Sequence, residues 1–378
     1  MAQGFRPTRA DINLVNLRFN LESCRGFLGP EIEVMSVVKA NAYGHGAIPC
    51  ALALESSGVR WLGVATPEEG IELREAGVKC RILVFGGFWP GQARAVITNH
   101  LTPAIFRKEQ IDELTSSLNG DHPKFPIHLK IDTGMGRVGV RPGDLASLLE
   151  SLKSSPNLIL EGVMSHLAVA DDLSRSGFTE GQVERLDACL SEIEHEGFNP
   201  ELINIANSPG AVCHSGTRKS LVRLGGIIYG LGGDVLPAGS PAPELRPVMR
   251  VTSRLSDIKR IEEGESVGYG LTFTATRPTV TGLVPIGYHD GLPRNLSNIG
   301  SMLVRGVHAP ILGRVSMDWT VIDLTDIPDA TYNDEVVVIG RDGNFEIRPE
   351  DIAIKTGTIS YEITCGISDR VPRFYDQG

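Results

Sequence analysis

Lys39 sits at the end of the apolar run VMSVVKA (34–40) and is followed at once by ANAYGHG. A lysine amine taken out of water has a lowered pKa and can form a Schiff base with a carbonyl. Taken alone, Lys39 reads more simply as a strand-end lysine reaching solvent. Gly44 and Gly46 weigh the other way, because glycines let backbone approach a ligand closely. Later apolar runs carry similar punctuation: Lys130 and Arg137 in FPIHLKIDTGMGR, His166 in LILEGVMSHL, Asn207-Ser208 after LINIA, and Arg223 with Gly225-Gly226 in SLVRLGG. Most of these are cationic or neutral, so an anion is the natural guest.

Singly, several have plainer readings. His166 reads as a hydrogen-bonded core histidine. Lys130 reads as an ion pair with Asp132, two residues on. Ser208-Pro209 can open a helix whose free N–H groups face an anion, or can be an ordinary cap beside a packing glycine pair. Arg223 is harder to dismiss, since a buried guanidinium needs acceptors and keeps its proton. The two glycines of DTGMGR permit a tight turn that presents Arg137 to a carboxylate.

The elements that must hold these residues alternate in period. Eight short apolar, β-branched runs appear at 34–40, 61–66, 81–86, 101–106, 125–132, 158–167, 202–207 and 220–226. Such runs suit strands buried on both faces. Between them lie helical patterns. TPEEGIELREAG has a threonine cap, a proline at the first helical position and a glycine stop, and RKEQIDELTSSL and TEGQVERLDACLSEIEHEG are amphipathic. This predicts an α/β fold, an N-terminal (β/α)8 TIM-type barrel, with a doubly wound sheet as the alternative. A barrel brings the residues at its strand ends to one rim. The pattern changes after Pro241-Ala-Pro243. VMRVTSRLSDIKRI, TVTGLVPIGY, SMLVRG, WTVIDL, EVVVIG and TISYEIT all read as strands, with one short helix near RPEDIAIKTG. The expected division is a barrel over residues 1–244 and a β-rich domain over 245–378, the first ten or so residues packing with the latter.

Composition narrows the class. The formal net charge of −10 disfavours non-specific nucleic-acid binding, which needs a basic face. The N-terminus has no apolar core of a secretory signal, and no stretch offers the roughly 20 apolar residues of a membrane helix. The six cysteines are scattered and never form C-x-x-C, so neither a disulfide framework nor a metal site is expected. The expected setting is the cytoplasm.

VVKANAYGHG (37–46) resembles the pyridoxal-phosphate attachment signature of the alanine racemases. KIDTGMGRVG, VMSHLAVAD, NIANSPG and LVRLGGIIYG resemble further stretches of that family, as do VGYGLTFTA, PIGYHDG, GRVSMDWT and ISYEITCGISDRVPR. The resemblance spans the chain and implies a homodimer acting on L- and D-alanine, each site completed by the partner's β-domain. It implies that Lys39 binds pyridoxal 5′-phosphate covalently and is the base on the D-alanine face, with Tyr269 of the partner subunit on the L-alanine face. It makes His166 and Arg223 a hydrogen-bonded cationic neighbourhood for that tyrosine. It also makes Arg223 the partner of the pyridine nitrogen, leaving the ring a weaker electron sink.

By the same resemblance, Tyr43, Ser208, Gly225, Gly226 and Tyr361 cradle the phosphate, with Asn207 beside them. Arg137 touches the cofactor phenol oxygen and the substrate carboxylate. Lys130 is a lysine that is often carbamylated. Met317 and Asp318 meet the substrate carboxylate by backbone N–H across the interface, and Tyr288 and Arg294 line the entrance. Pro293 and Asp369 depart from the family's pattern at the entrance. The rival readings are a racemase acting on serine or a wider substrate range, a fold-related decarboxylase of basic amino acids, and a single-barrel cofactor carrier; the tyrosine and arginine motifs argue against the decarboxylase, and the β-domain with VGYG and GRVSMD against the carrier.

Overall fold

The computed structural model describes residues 6–118 and 124–378. A first strand, β1 (Arg9–Asn13), precedes the barrel. Eight parallel strands then follow: β2 (Glu33–Val37), β3 (Trp61–Val64), β4 (Arg81–Val84), β5 (Thr102–Ile105), β6 (Phe125–Lys130), β7 (Leu158–Met164), β8 (Leu202–Asn204) and β9 (Leu221–Leu224). They run β8-β7-β6-β5-β4-β3-β2-β9, and the Arg223 N–H reaches the Ala206 carbonyl at 3.1 Å between the two ends. All eight coincide with the apolar runs. Each is two or three residues shorter, the chain leaving the sheet before the run ends. Every residue of β3, β5 and β9 is buried, as strands covered on both faces require.

The helix Pro67–Glu75 begins as its sequence indicates. Thr66 caps the Glu69 N–H, and the Glu69 carboxylate reaches back toward the Thr66 N–H. The helices Lys108–Ser117 and Ser176–His195 also form.

Most of the remaining strands build a second sheet, while Ser266–Val267 and Phe273–Thr274 pair by themselves. Met249–Arg254 lies between Glu335–Asp342 and β1, antiparallel to both, and β1 pairs in parallel with Arg373–Asp376. The chain's beginning and end thus join one sheet. One expectation fails here. TISYEIT is not a strand; Ser360–Gly366 is helical and follows the expected helix Pro349–Thr356. Its β-branched residues favour extended backbone locally, but tertiary contacts win. The Asp234 carboxylate binds the Ser360 N–H and hydroxyl, both at 2.6 Å, and Ile363 and Thr364 are buried.

Beyond β2 the backbone makes a left-handed turn. Ala40, Asn41, Ala42 and Tyr43 have φ of 52°, 53°, 53° and 53°, a region that costs an L-residue about 1–2 kcal/mol. Bonds from the Ala42 N–H to the Val38 carbonyl and from the Gly44 N–H to the Ala40 carbonyl hold it. The Ser360–Gly366 helix packs over it so closely that a Cβ on Gly44, at φ +83°, would overlap the Thr364 carbonyl. Gly44→Ala is therefore expected to destabilise the chain by about 3 kcal/mol. A denaturant midpoint equal to wild type would contradict this.

Candidate active site

The C-terminal ends of the barrel strands open into a cavity of about 530 Å³, within the usual range for small-molecule sites. Lys39, Tyr43, Lys130, Arg137, His166, Asn207, Ser208, Arg223, Gly225 and Tyr361 all line it, so ten residues singled out from six separate stretches converge. The left-handed turn supplies Lys39 and Tyr43. The Lys39 amine is pushed below its ordinary value, by burial first and then by Arg137; Glu69 opposes the shift.

Arg223 is 4% exposed and carries the geometry its sequence context demanded. It donates to the Asn204 side chain, to the Ser165 and Ile205 carbonyls at 2.8 and 3.1 Å, and meets His166 Nδ1 at 3.1 Å. Burial pushes the guanidinium down to about 10, so it remains a cation at neutral pH. Burial and Arg223 also hold His166 well below its ordinary value. A neutral His166 that accepts at Nδ1 must carry its hydrogen on Nε2, and this defines the tautomer.

One corner is built from hydroxyls and glycine backbone. Gly225 N–H donates to Ser208 Oγ at 3.0 Å. A Cβ on Gly225 would overlap the Tyr43 hydroxyl, and one on Gly226 would lie 2.7 Å from the Tyr361 hydroxyl. The two glycines thus leave room for two phenols. Asn207, rather than Ser208, caps the short helix Ser208–Cys213 through the Gly210 N–H at 3.1 Å. Ser208 Oγ is left to meet the Gly225 N–H.

The Lys130–Asp132 ion pair does not form. Asp132 Oδ1 accepts the Gly134 and Gly136 N–H groups, each at 3.0 Å, and Oδ2 meets Arg141 at 3.4 Å. This closes the turn that carries Arg137. Lys130 Nζ instead donates to the Phe85 carbonyl at 2.7 Å. Burial, then Arg223, Arg137 and Lys39, push its amine down to about 7. The unfolded chain keeps that proton up to about 10.4, while the folded chain sheds it from about pH 7. The buried cation therefore opposes folding fully below pH 7, and the opposition fades as the pH rises toward 10. Lys130→Met is expected to raise the thermal midpoint more at about pH 6 than at about pH 9, in buffer free of carbon dioxide. An equal or larger gain at the higher pH would contradict this.

Tyr269, Met317, Asp318, Tyr288 and Arg294 do not line this cavity. They lie in turns and loops between the later strands, where Tyr269 is 72% and Met317 51% exposed, with Tyr288, Leu271 and Trp319 also exposed. The Tyr288 and His289 N–H groups bond the Ser316 and Met317 carbonyls at 2.9 and 3.1 Å, which joins two of the family-like stretches. Arg370 ties Asp318, at 2.8 Å, to the buried Asp290 at 3.3 Å. Arg294 is exposed and opens a short turn after Pro293; Asp369 is fully exposed and pairs with Arg373 at 4.0 Å. Glu69, Phe85, Asp171, Asp234 and Cys365 stand at or behind the cavity without having been singled out. Glu69 carried no mark of its own, since no local pattern shows which backbone a carboxylate will reach. No group of three or more His, Cys, Asp or Glu arranged to hold a metal occurs among the described residues, and the six cysteines are unpaired. No described helix is long and apolar enough to cross a membrane.

The alanine racemase N-terminal domain family matches residues 12–232, and the alanine racemase C-terminal domain family matches residues 248–375. An alanine racemase of Symbiobacterium thermophilum is 40% identical over 382 residues, covering 98% of each chain. Among solved structures, the alanine racemase of the D-cycloserine producer Streptomyces lavendulae superposes with a TM-score of 0.92 at 36% identity, covering 100% of this chain and 98% of that one. The Bartonella henselae alanine racemase, solved with covalently bound pyridoxal phosphate, superposes at 0.87 with 29% identity, over 98% of this chain and 99% of its own. With both of the family's domains matched along its length and its fold superposed on that of its members, this chain belongs to the alanine racemases.

Proposed function

We propose that this chain interconverts L- and D-alanine with pyridoxal 5′-phosphate held by Lys39, in a homodimer whose sites are shared between subunits. The observation that carries this is the convergence on one cavity of a desolvated lysine, a hydroxyl-and-glycine corner and a buried arginine. The cavity fits the cofactor. The corner of Tyr43, Ser208, Gly225, Gly226 and Tyr361, with Asn207 beside it, suits a phosphate. Lys39 suits the aldehyde, and Arg223 suits the ring nitrogen, which it leaves unprotonated because it keeps its own proton. When bound, the cofactor withdraws electrons from the amino-acid Cα and makes its hydrogen acidic.

The protein's task is to move a proton at Cα from either face. Lys39 Nζ takes or returns it on the D-alanine face. Tyr269 is placed by this reading on the L-alanine face of the partner's cavity, which agrees with its high exposure and its absence from its own chain's cavity. A tyrosine starts near 10 and needs help to act as a base. The Nε2–H of neutral His166, backed by Arg223, is the donor that would stabilise its phenolate. Arg137 is suited to bind the substrate carboxylate and the cofactor phenol oxygen. Met317 and Asp318 of the partner subunit offer backbone N–H groups to that carboxylate, and Tyr288 and Arg294 frame the way in. Lys130, with its amine near pH 7, can add to carbon dioxide with loss of a proton, and the resulting anion would orient Arg137. The division into units 1–244 and 245–378 belongs to the same reading. So do a cytoplasmic setting and a role in supplying D-alanine for peptidoglycan.

The test is formation of D-alanine from L-alanine in a coupled assay, run beside L-serine and L-lysine. L-Alanine is expected to have the highest kcat/KM. No D-alanine formed, or serine preferred, would sink the proposal.

A further inference from the structure

Glu69 sits at the third position of the helix Pro67–Glu75, where it completes a capping box. Its side chain does more than that position requires. One carboxylate oxygen accepts the Ala40 N–H at 2.7 Å, and the other accepts the Ala65 N–H at 2.6 Å. Ala40 is the first residue of the left-handed turn, directly after Lys39, and Ala65 directly follows β3. The two oxygens therefore tie the turn after β2 to the end of the next strand. A backbone N–H at the start of such a turn has no partner within it, as at the start of any helix, and an ionised acceptor makes the stronger bond. Glu69 is also the one carboxylate among the groups acting on the Lys39 amine, beside the cations Arg137 and Arg223. It does not line the cavity, so the only bond it offers Lys39 runs through the Ala40 N–H of the turn.

We propose that Glu69 is a positioning residue for this reaction, holding the Ala40 N–H so that the strained turn aims the Lys39 amine into the cavity. This rests on Lys39 being the cofactor lysine. Four consecutive non-glycine residues in left-handed conformation persist only when their surroundings over-determine them, and Glu69 supplies the bond at the residue next to Lys39. If the bond is lost, Ala40 can relax, and the amine shifts relative to the cofactor aldehyde and the substrate Cα. A displacement of about 1 Å at a reacting group costs on the order of 100-fold in rate.

The experiment compares holoenzymes of wild type, Glu69→Ala, Glu69→Gln and Thr66→Ala. Thr66 caps the same helix at 3.5 Å, so its loss weakens the helix start while leaving both Glu69 oxygens their partners. Thermal midpoint, kcat, KM and the pyridoxal 5′-phosphate dissociation constant are measured for each. Both alanine variants should lower the midpoint. Glu69→Ala alone should lower kcat by about 100-fold at nearly unchanged KM and weaken cofactor binding by about tenfold. Glu69→Gln keeps one acceptor oxygen and should fall between; it carries the test if Glu69→Ala does not fold. Glutamate variants matching Thr66→Ala within about twofold in kcat and cofactor affinity would overturn the positioning role. Borohydride trapping of wild type, followed by peptide mapping, separates the two claims. Cofactor found on a lysine other than Lys39 would overturn the proposed attachment and this inference with it.

Discussion

Lys39→Ala is expected to abolish interconversion of the alanine enantiomers, with a fall of about 10⁴-fold or more. General-base catalysis by a positioned side chain is worth about 10²–10⁴-fold by itself, and this residue is also the proposed covalent anchor. Its setting explains why no neighbour should replace it. The other lysine of the cavity, Lys130, donates to the Phe85 carbonyl, an acceptor on a different strand end. Arg223, a cation up to about 10, cannot give up a proton near neutral pH, and Arg137 offers a guanidinium in place of an amine. The variant should also fail to retain cofactor after borohydride treatment. A coupled D-alanine assay checks the first point and intact mass the second. Activity within tenfold of wild type would sink the assignment.

The second large effect is a recovery. Tyr269→Phe should cost about 10²–10⁴-fold, since it deletes the proposed second base and leaves the ring in place. If each site takes Lys39 from one chain and Tyr269 from the other, two dead variants complement. Lys39→Ala and Tyr269→Phe chains, unfolded together and refolded in equal amounts, form mixed dimers in about half the population under the usual two-fold symmetry. Each mixed dimer has one site with both bases and one with neither, so about a quarter of wild-type activity should return. The exposure of Tyr269, Leu271 and Met317 and their distance in the chain from the cavity residues make this outcome expected. A mixture no more active than its better component would show that the two bases are not shared between chains.

Much of this was legible before any coordinates. The eight barrel strands are short and buried on both faces, so they must be apolar throughout, and that leaves a continuous mark on the sequence. The helix Pro67–Glu75 is set by residues within four of each other, and its cap reads directly. Arg223 in an apolar run announced a buried cation that would need acceptors, and it has them in Asn204, Ser165, Ile205 and His166.

Where reading failed, a distant group had decided the outcome. TISYEIT is helical because Asp234, more than 120 residues earlier, caps Ser360 and because its buried side chains pack over the turn after Lys39. Lys130 ignores its neighbour Asp132 because two glycine N–H groups and Arg141 claim that carboxylate first. Glu69 carried no mark of its own, since nothing in TPEEG says that Ala40 will come within 2.7 Å.

By itself, the sequence determined which residues carry charge, nucleophilicity or conformational freedom, and the periodicity that makes a barrel followed by a β-rich unit. Those are properties of residue types and of spacings of two to four, which act locally along the chain. Only the tertiary structure decided which polar groups meet, which proton affinities shift, and how a run of non-glycine residues is held left-handed beside Lys39. Those depend on burial and on contacts between segments far apart in the chain.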